Sequence, residues 1–216
     1  MKTLAQFCDF SNGSERIERK FIMSKGQAYL ALCQLLKNGF KPHHEDRSVA
    51  SIYFDTYDLR SLRDNVDGNP NRDKLRVRYY NNNVTEARLE TKHKRAEIGY
   101  KAVFELPTVS CNEKELIVAT QKWSSLHVFE TMKPTARILY HRKYFIKGNC
   151  RATVDYDVCA QKISNNSCYT STLTNYSVIE FKYNRGFDND FRTFRYFNDI
   201  ALRNTKCSKY ANCMMN

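Results

Sequence analysis

The chain is short of the residues that interrupt structure. With 7 glycines and 4 prolines in 216 residues, it offers no obvious linker, no low-complexity tract and no repeat at a fixed period, so a single domain over residues 1–216 is expected. No stretch approaches the ~20 apolar residues of a membrane span, and Met1–Phe10 lacks the apolar run of a signal peptide. A soluble, cytoplasmic protein without a membrane segment is the expectation. None of the 8 cysteines forms a C-x-x-C, so zinc spacing is missing and reduced, partly buried thiols are expected. His43-His44 follows Pro42 in what reads as a surface loop, where adjacent side chains point apart.

Negative charge is also scarce. Against 35 Lys and Arg stand 23 Asp and Glu, a formal net charge of +12, which implies an anionic partner. A nucleic-acid arm or a lipid anchor would gather its cations in a block. Here they are dealt out one or two per strand, the pattern of a lined pocket.

The stretch from Lys74 to Lys94 shows this pattern most plainly. Two runs of β-forming residues flank Asn81-Asn82-Asn83, and in each run charge falls on alternate positions: Arg76 and Arg78, then Arg88, Glu90, Lys92 and Lys94. Leu75, Val77 and Tyr79 take the opposite, apolar face. A solvated sheet face would explain one such hairpin, but the alternation recurs. Glu18 and Lys20 share a face of a first strand over 16–22, as do Glu180 and Lys182 in a strand over 176–183. Lys101, Arg142 and Arg151 add single cations, with Tyr140 and Tyr144 beside Arg142, and Thr153, Asp155 and Asp157 beside Arg151.

Other elements follow from local signals. Ser24 with Gln27 forms a capping box ahead of a helix that Gly39 stops. Residues 49–55 read as a strand buried on both faces, 57–65 as a polar turn or short helix, and 67–70 as a turn. Residues 111–131 carry one or two helices, and 136–146 with 151–160 a hairpin about Lys147-Gly148-Asn149. A polar loop spans 164–174, and Asp188 caps a last helix bearing Phe191, Phe194, Phe197 and Ile200.

Antiparallel strands with one apolar face covered by helices can leave the charged face only as an open surface or as the inside of a barrel. About eight strands make an interior wide enough for long side chains and one narrow ligand. The expected fold is therefore α+β, an antiparallel closed barrel with helices outside. Two cations ~5 Å apart at an effective dielectric of ~20 repel by roughly 3 kcal/mol, so such a lumen needs interspersed carboxylates or a bound anion.

The segments E-R-K (18–20), S-I-Y-F-D-T (51–56), K-L-R-V-R-Y-Y (74–80), L-E-T-K (89–92), R-K-Y-F (142–145), R-A-T-V-D (151–155), V-I-E-F-K-Y (178–183) and C-S-K-Y (207–210) resemble, in order, the VTC catalytic domain. That domain is the polyphosphate polymerase branch of the triphosphate tunnel metalloenzymes, relatives of the CYTH phosphatases. The resemblance implies that Lys20, Arg76, Arg78, Lys92, Lys101, Arg142, Arg151, Lys182 and Lys209 contact phosphate. It also implies that Glu180 holds Mn²⁺ or Mg²⁺, and that Glu18 and Glu90 are further tunnel carboxylates. ATP and polyphosphate or inorganic phosphate are the implied partners, and nucleic acid only as an RNA 5′-triphosphate. Many CYTH members carry E-x-E-x-K on the first strand, where this chain has Arg16 two residues before Glu18, which points away from two-metal hydrolysis. The implied activity is transfer of the ATP γ-phosphoryl group to a phosphate or polyphosphate acceptor. Hydrolysis of a triphosphate and non-catalytic polyanion binding are the alternatives.

Overall fold

A computed structural model describes residues 16–95, 98–106, 111–127, 131–164, 168–187, 204–205 and 207–215. Nine antiparallel strands make one sheet: β1 (Arg16–Ser24), β2 (Lys41–Asp55), β3 (Arg72–Tyr80), β4 (Asn83–Arg95), β5 (Ile98–Glu105), β6 (Lys133–Lys147), β7 (Cys150–Ser164), β8 (Cys168–Leu173) and β9 (Tyr176–Asn184). The order is β1-β9-β7-β6-β2-β3-β4-β5, with β8 paired to the far end of β7. Four helices accompany it among the described residues: α1 (Lys25–Lys37), α2 (Arg60–Val66), α3 (Glu113–His127) and α4 (Lys209–Met215). None is long and apolar enough to cross a membrane.

Local chemistry accounts for the boundaries. The Ser24 hydroxyl accepts from the Gln27 amide (3.2 Å) while the Gln27 side chain accepts from the Ser24 amide (2.9 Å), so α1 begins on a complete capping box. Gly39 ends that turn at φ +81°, where a Cβ would be strained. Asn81 and Asn82 both adopt positive φ, the requirement of a tight turn matched to strand twist, and they join β3 to β4.

Two apolar layers cover the outer face. Ala28, Ala31 and Leu35 of α1 pack on Phe21, Met23, Ala152, Val154, Ile179 and Phe181, with Phe181 edge-on to both Phe21 and Phe40. Leu116 and Trp123 of α3 pack on Ile52, Phe54, Leu75, Val77 and Leu89. Each such fully buried large side chain is worth about 1.5–3 kcal/mol. The short helix α4 lies on the opposite face, its Tyr210 stacked on Tyr53 at 5.2 Å and hydrogen-bonded to Asp55 at 2.6 Å.

The curvature of the sheet follows from one ion pair. Five strands separate β1 from β4, a distance of roughly 29 Å in a flat sheet at ~4.8 Å per strand. Yet Lys92 of β4 lies 3.2 Å from Glu18 of β1. The sheet therefore curls with its charged face inside. The closed barrel expected from the sequence is not formed by backbone hydrogen bonds: among the described residues β5 and β1 do not pair, and side chains bridge the gap instead.

Three local expectations are corrected. Residues 168–173, read as loop, form β8: Thr, Ser and Tyr suit a strand, but the segment lacks apolar alternation and pairs on one side only. His43 and His44 lie in the first, exposed half of β2, where a register shift beside them turns their rings together at 4.3 Å instead of apart. Asp157 sits at a bulge with φ +50°, which takes it off the inner face to pair with Lys25 at 3.3 Å. Helix α4, at seven residues, carries no sequence expectation to compare, being too short to show a periodicity. The helix expected after Asp188 lies outside the described residues.

Candidate functional site

The inner face is built from alternate residues of β1, β9, β7, β6, β2, β3, β4 and β5, together with the first residue of α4. Three charge clusters occupy it. In the first, Glu18 accepts from Lys92 (3.2 Å) and forms an ion pair with Lys182 (3.1 Å), and Lys20 stands 3.7 Å from Glu180. Lys182 is 3.6 Å from the same Glu180 oxygen. In the second, Glu90 takes Arg76 at 2.6 Å and Lys101 at 2.7 Å, with Arg78 at 3.8 Å. In the third, Asp155 accepts from Arg142 Nη2 at 2.8 Å and from Lys209, which α4 brings in from the C-terminal end of the chain.

Of the residues that the family resemblance implies, all but Arg151 enter one of these clusters; Arg88 and Lys94, which alternation placed on the same face, belong to none of the three. Arg151 is exposed, opposite Lys182 in the β7–β9 register. Sequence reasoning missed Lys74 and the role of Asp155. Lys74 shares the parity of Arg76 and Arg78, so the signal was present; its ammonium donates to Asn65 (2.7 Å) and Ser208 (2.8 Å). Asp155 was placed on the inner face by alternation, but its partner Lys209 lies 54 residues away and nothing local announces it.

Protonation follows from crowding. Burial would raise the carboxyl of Glu90, but Arg76, Arg78 and Lys101 outweigh it and hold the group at about 2. Burial likewise opposes ionisation of Asp155, and Lys209 and Arg142 bring it to about 2. Glu180 is held far below the carboxylate range, its burial overcome by Lys20, Lys182, Arg142 and Lys209. Burial, together with Arg72, Lys20 and Lys92, lowers Lys74 to about 8. Tyr53, buried beside Arg76 and Arg78, also falls to about 8.

These depressed carboxyls set the acid stability. Between the ordinary values near 4 and the folded values near 2, the unfolded chain binds more protons than the folded one, so stability is intact above about pH 5 and falls as pH drops through that window. Glu90 and Asp155 together should cost on the order of several kcal/mol by pH 2. Urea midpoints should be flat from pH 7 to 5 and fall steeply below 4; a midpoint unchanged down to pH 3 would show that these pairs do not hold the sheet.

Two features at Glu180 fit a divalent ion. Both neighbouring lysines are beyond hydrogen-bond length, and Thr153, opposite Glu180 in the register, has a buried hydroxyl oxygen with no partner among the described residues. No group of three or more His, Cys, Asp or Glu that could hold a metal occurs among the described residues, so an ion here would draw its remaining ligands from phosphate and water.

An antiparallel sheet curled around a cation-rich face, with α1 and α3 on its outer side, is a fold that recurs among solved structures. Solved structures of like fold include a putative adenylate cyclase from Vibrio parahaemolyticus (TM-score 0.57, 11% identity, 95% of this chain and 100% of that one). Another is a Pyrococcus horikoshii protein (0.54, 15%, 92% and 98%). A third is a putative adenylyl cyclase from Hippeastrum described as having a dominant triphosphatase activity (0.54, 13%, 93% and 95%). Among curated proteins no sequence matches significantly. The chain belongs to the VTC domain family, whose model matches residues 15–216.

Proposed function

We propose that this protein is a metal-dependent polyphosphate polymerase. An oxygen of phosphate, or of the end of a growing polyphosphate chain, attacks the γ-phosphorus of ATP; the bond from that phosphorus to the β–γ bridging oxygen breaks, and ADP leaves with the electron pair. The observation that carries this reading is the convergence of the three clusters on one concave face, where eight cations stand against four carboxylates. Phosphoryl transfer needs little covalent help, only alignment and neutralisation of the equatorial oxygens. Arg76, Arg78 and Arg142 present guanidinium forks for paired phosphate oxygens, while Lys20, Lys92, Lys101, Lys182 and Lys209 act as point charges. Glu180, with the Thr153 hydroxyl beside it, would hold Mn²⁺ or Mg²⁺, which supplies charge neutralisation when bound. Arg151 at the rim would meet a chain entering or leaving.

A second reading has its own support. The Hippeastrum neighbour is described as a triphosphatase, and with water in the acceptor position the same face would hydrolyse inorganic triphosphate or an RNA 5′-triphosphate. Incubation with ATP and Mn²⁺, followed by a gel that resolves chain length, separates the two. A ladder of lengthening phosphate chains with ADP is expected. Orthophosphate and ADP without a ladder would establish the hydrolase, and no metal-dependent product at all would leave a binding module.

A further inference from the structure

The inner face carries one group that phosphate chemistry does not explain. Arg47 of β2, Tyr80 of β3 and Tyr144 of β6 have the same parity as Ser51, Arg78 and Arg142 and therefore face the same interior. The Arg47 guanidinium lies 5.7 Å from the centre of the Tyr80 ring and 6.0 Å from that of Tyr144. His44 meets the other side of the cluster, 5.5 Å from Tyr144 and edge-on to it. Among the described residues no carboxylate pairs with Arg47, and Arg47, Tyr80 and Tyr144 are all partly exposed, so a flat group can reach them.

The position is as telling as the composition. Tyr80 and Tyr144 each stand two residues beyond a cation of the inner face, Arg78 and Arg142, a step of roughly 7 Å along a strand. That is the direction in which a nucleotide held by its phosphates at Arg78 and Arg142 would extend its ribose and base. A bare polyphosphate has no planar group to lay on a tyrosine, whereas a purine has two faces and gains from stacking on tyrosine and on an arginine plane alike. We propose that Arg47, Tyr80 and Tyr144 form a nucleobase subsite at the mouth of the curled sheet, which takes the base of a nucleoside triphosphate whose phosphates lie on the inner cations. The subsite rests on the phosphate-binding reading above. Stacking reads shape and not hydrogen-bond pattern, so ATP and GTP should be accepted alike and pyrimidine nucleotides less well.

Titration calorimetry without metal, using ATP and tripolyphosphate on the whole protein, distinguishes the outcomes. Tyr144→Ala should weaken ATP about 5- to 100-fold, the loss of one stacked base, and leave tripolyphosphate within twofold of wild type. Tyr144→Phe should restore ATP affinity, because the ring face and not the hydroxyl carries the contact. Arg47→Ala should follow Tyr144→Ala. Equal losses for ATP and tripolyphosphate in Arg47→Ala would make Arg47 a phosphate contact and overturn the subsite. ATP affinity unmoved in all three variants would do the same while leaving the phosphate site standing. Wild-type protein that binds neither ligand would overturn both readings.

Discussion

Replacing Glu180 with glutamine is expected to abolish metal-dependent turnover of ATP by orders of magnitude while metal-free tripolyphosphate binding persists or tightens. The substitution keeps shape and removes one negative charge. Mg²⁺ and Mn²⁺ prefer hard oxygen ligands and at phosphate sites take one or two carboxylates from the protein, so the neutral amide is a far poorer ligand. The anion has no such need: taking a carboxylate away from Lys20 and Lys182, 3.7 Å and 3.6 Å distant, leaves their charge for phosphate. Turnover and calorimetry on the same variant provide the check. Wild-type turnover, or loss of both quantities in a folded protein, would show that Glu180 does not serve the metal.

The second large effect is expected at Asp155. It is 1% exposed and is the carboxylate that holds Arg142 and Lys209 together. Removing one member of a buried charge cluster typically costs 3–5 kcal/mol, so Asp155→Asn should lower the melting point by on the order of 10 °C for a domain of this size. A multivalent phosphate should restore much of it. In the wild type, a ligand at ~100-fold its Kd contributes about 2.7 kcal/mol, or roughly 5 to 10 °C. In the variant the tripolyphosphate shift should exceed this, because the anion takes the place of the missing carboxylate between the two cations. Orthophosphate at equal ionic strength should do little in either protein. Equal shifts from both anions would mean a diffuse basic surface and would end the tunnel reading; a variant as stable as wild type would show that the Asp155 cluster carries no net stability.

Much of the site was legible because strand alternation is local. Given that 74–80 is a strand, Lys74, Arg76 and Arg78 must share a face, and the same arithmetic placed Glu18 with Lys20 and Glu180 with Lys182. The capping box at Ser24 and the paired asparagines at 81–82 are similarly short-range, set by hydrogen bonds and φ preferences within four residues. Alternation failed where a bulge intervened. Asp157 counts as inner-facing by parity, but the irregular residues of β7 turn it outward, and a register shift beside His44 lets two adjacent rings meet. The strand β8 and the helix α4 were illegible for a different reason. β8 shows no apolar alternation and α4, at seven residues, is too short to display a helical period, and both are stabilised by what they pack or pair against.

By itself, the sequence determined the charge pattern: which residues are ionic, which of them alternate on a strand, and therefore that a cation-rich face with interspersed carboxylates would lie opposite an apolar one. Only the tertiary structure decided which strands are neighbours, how far the sheet curls, and which charges meet. Lys92 meets Glu18 across 74 residues of chain and Lys209 meets Asp155 across 54, and the sheet ends at β1 and β5 with side chains spanning the gap. The reason is physical. Backbone alternation is fixed by geometry within a few residues, whereas curl and cluster membership come from twist accumulated over many strands and from the packing of α1, α3 and α4 against them.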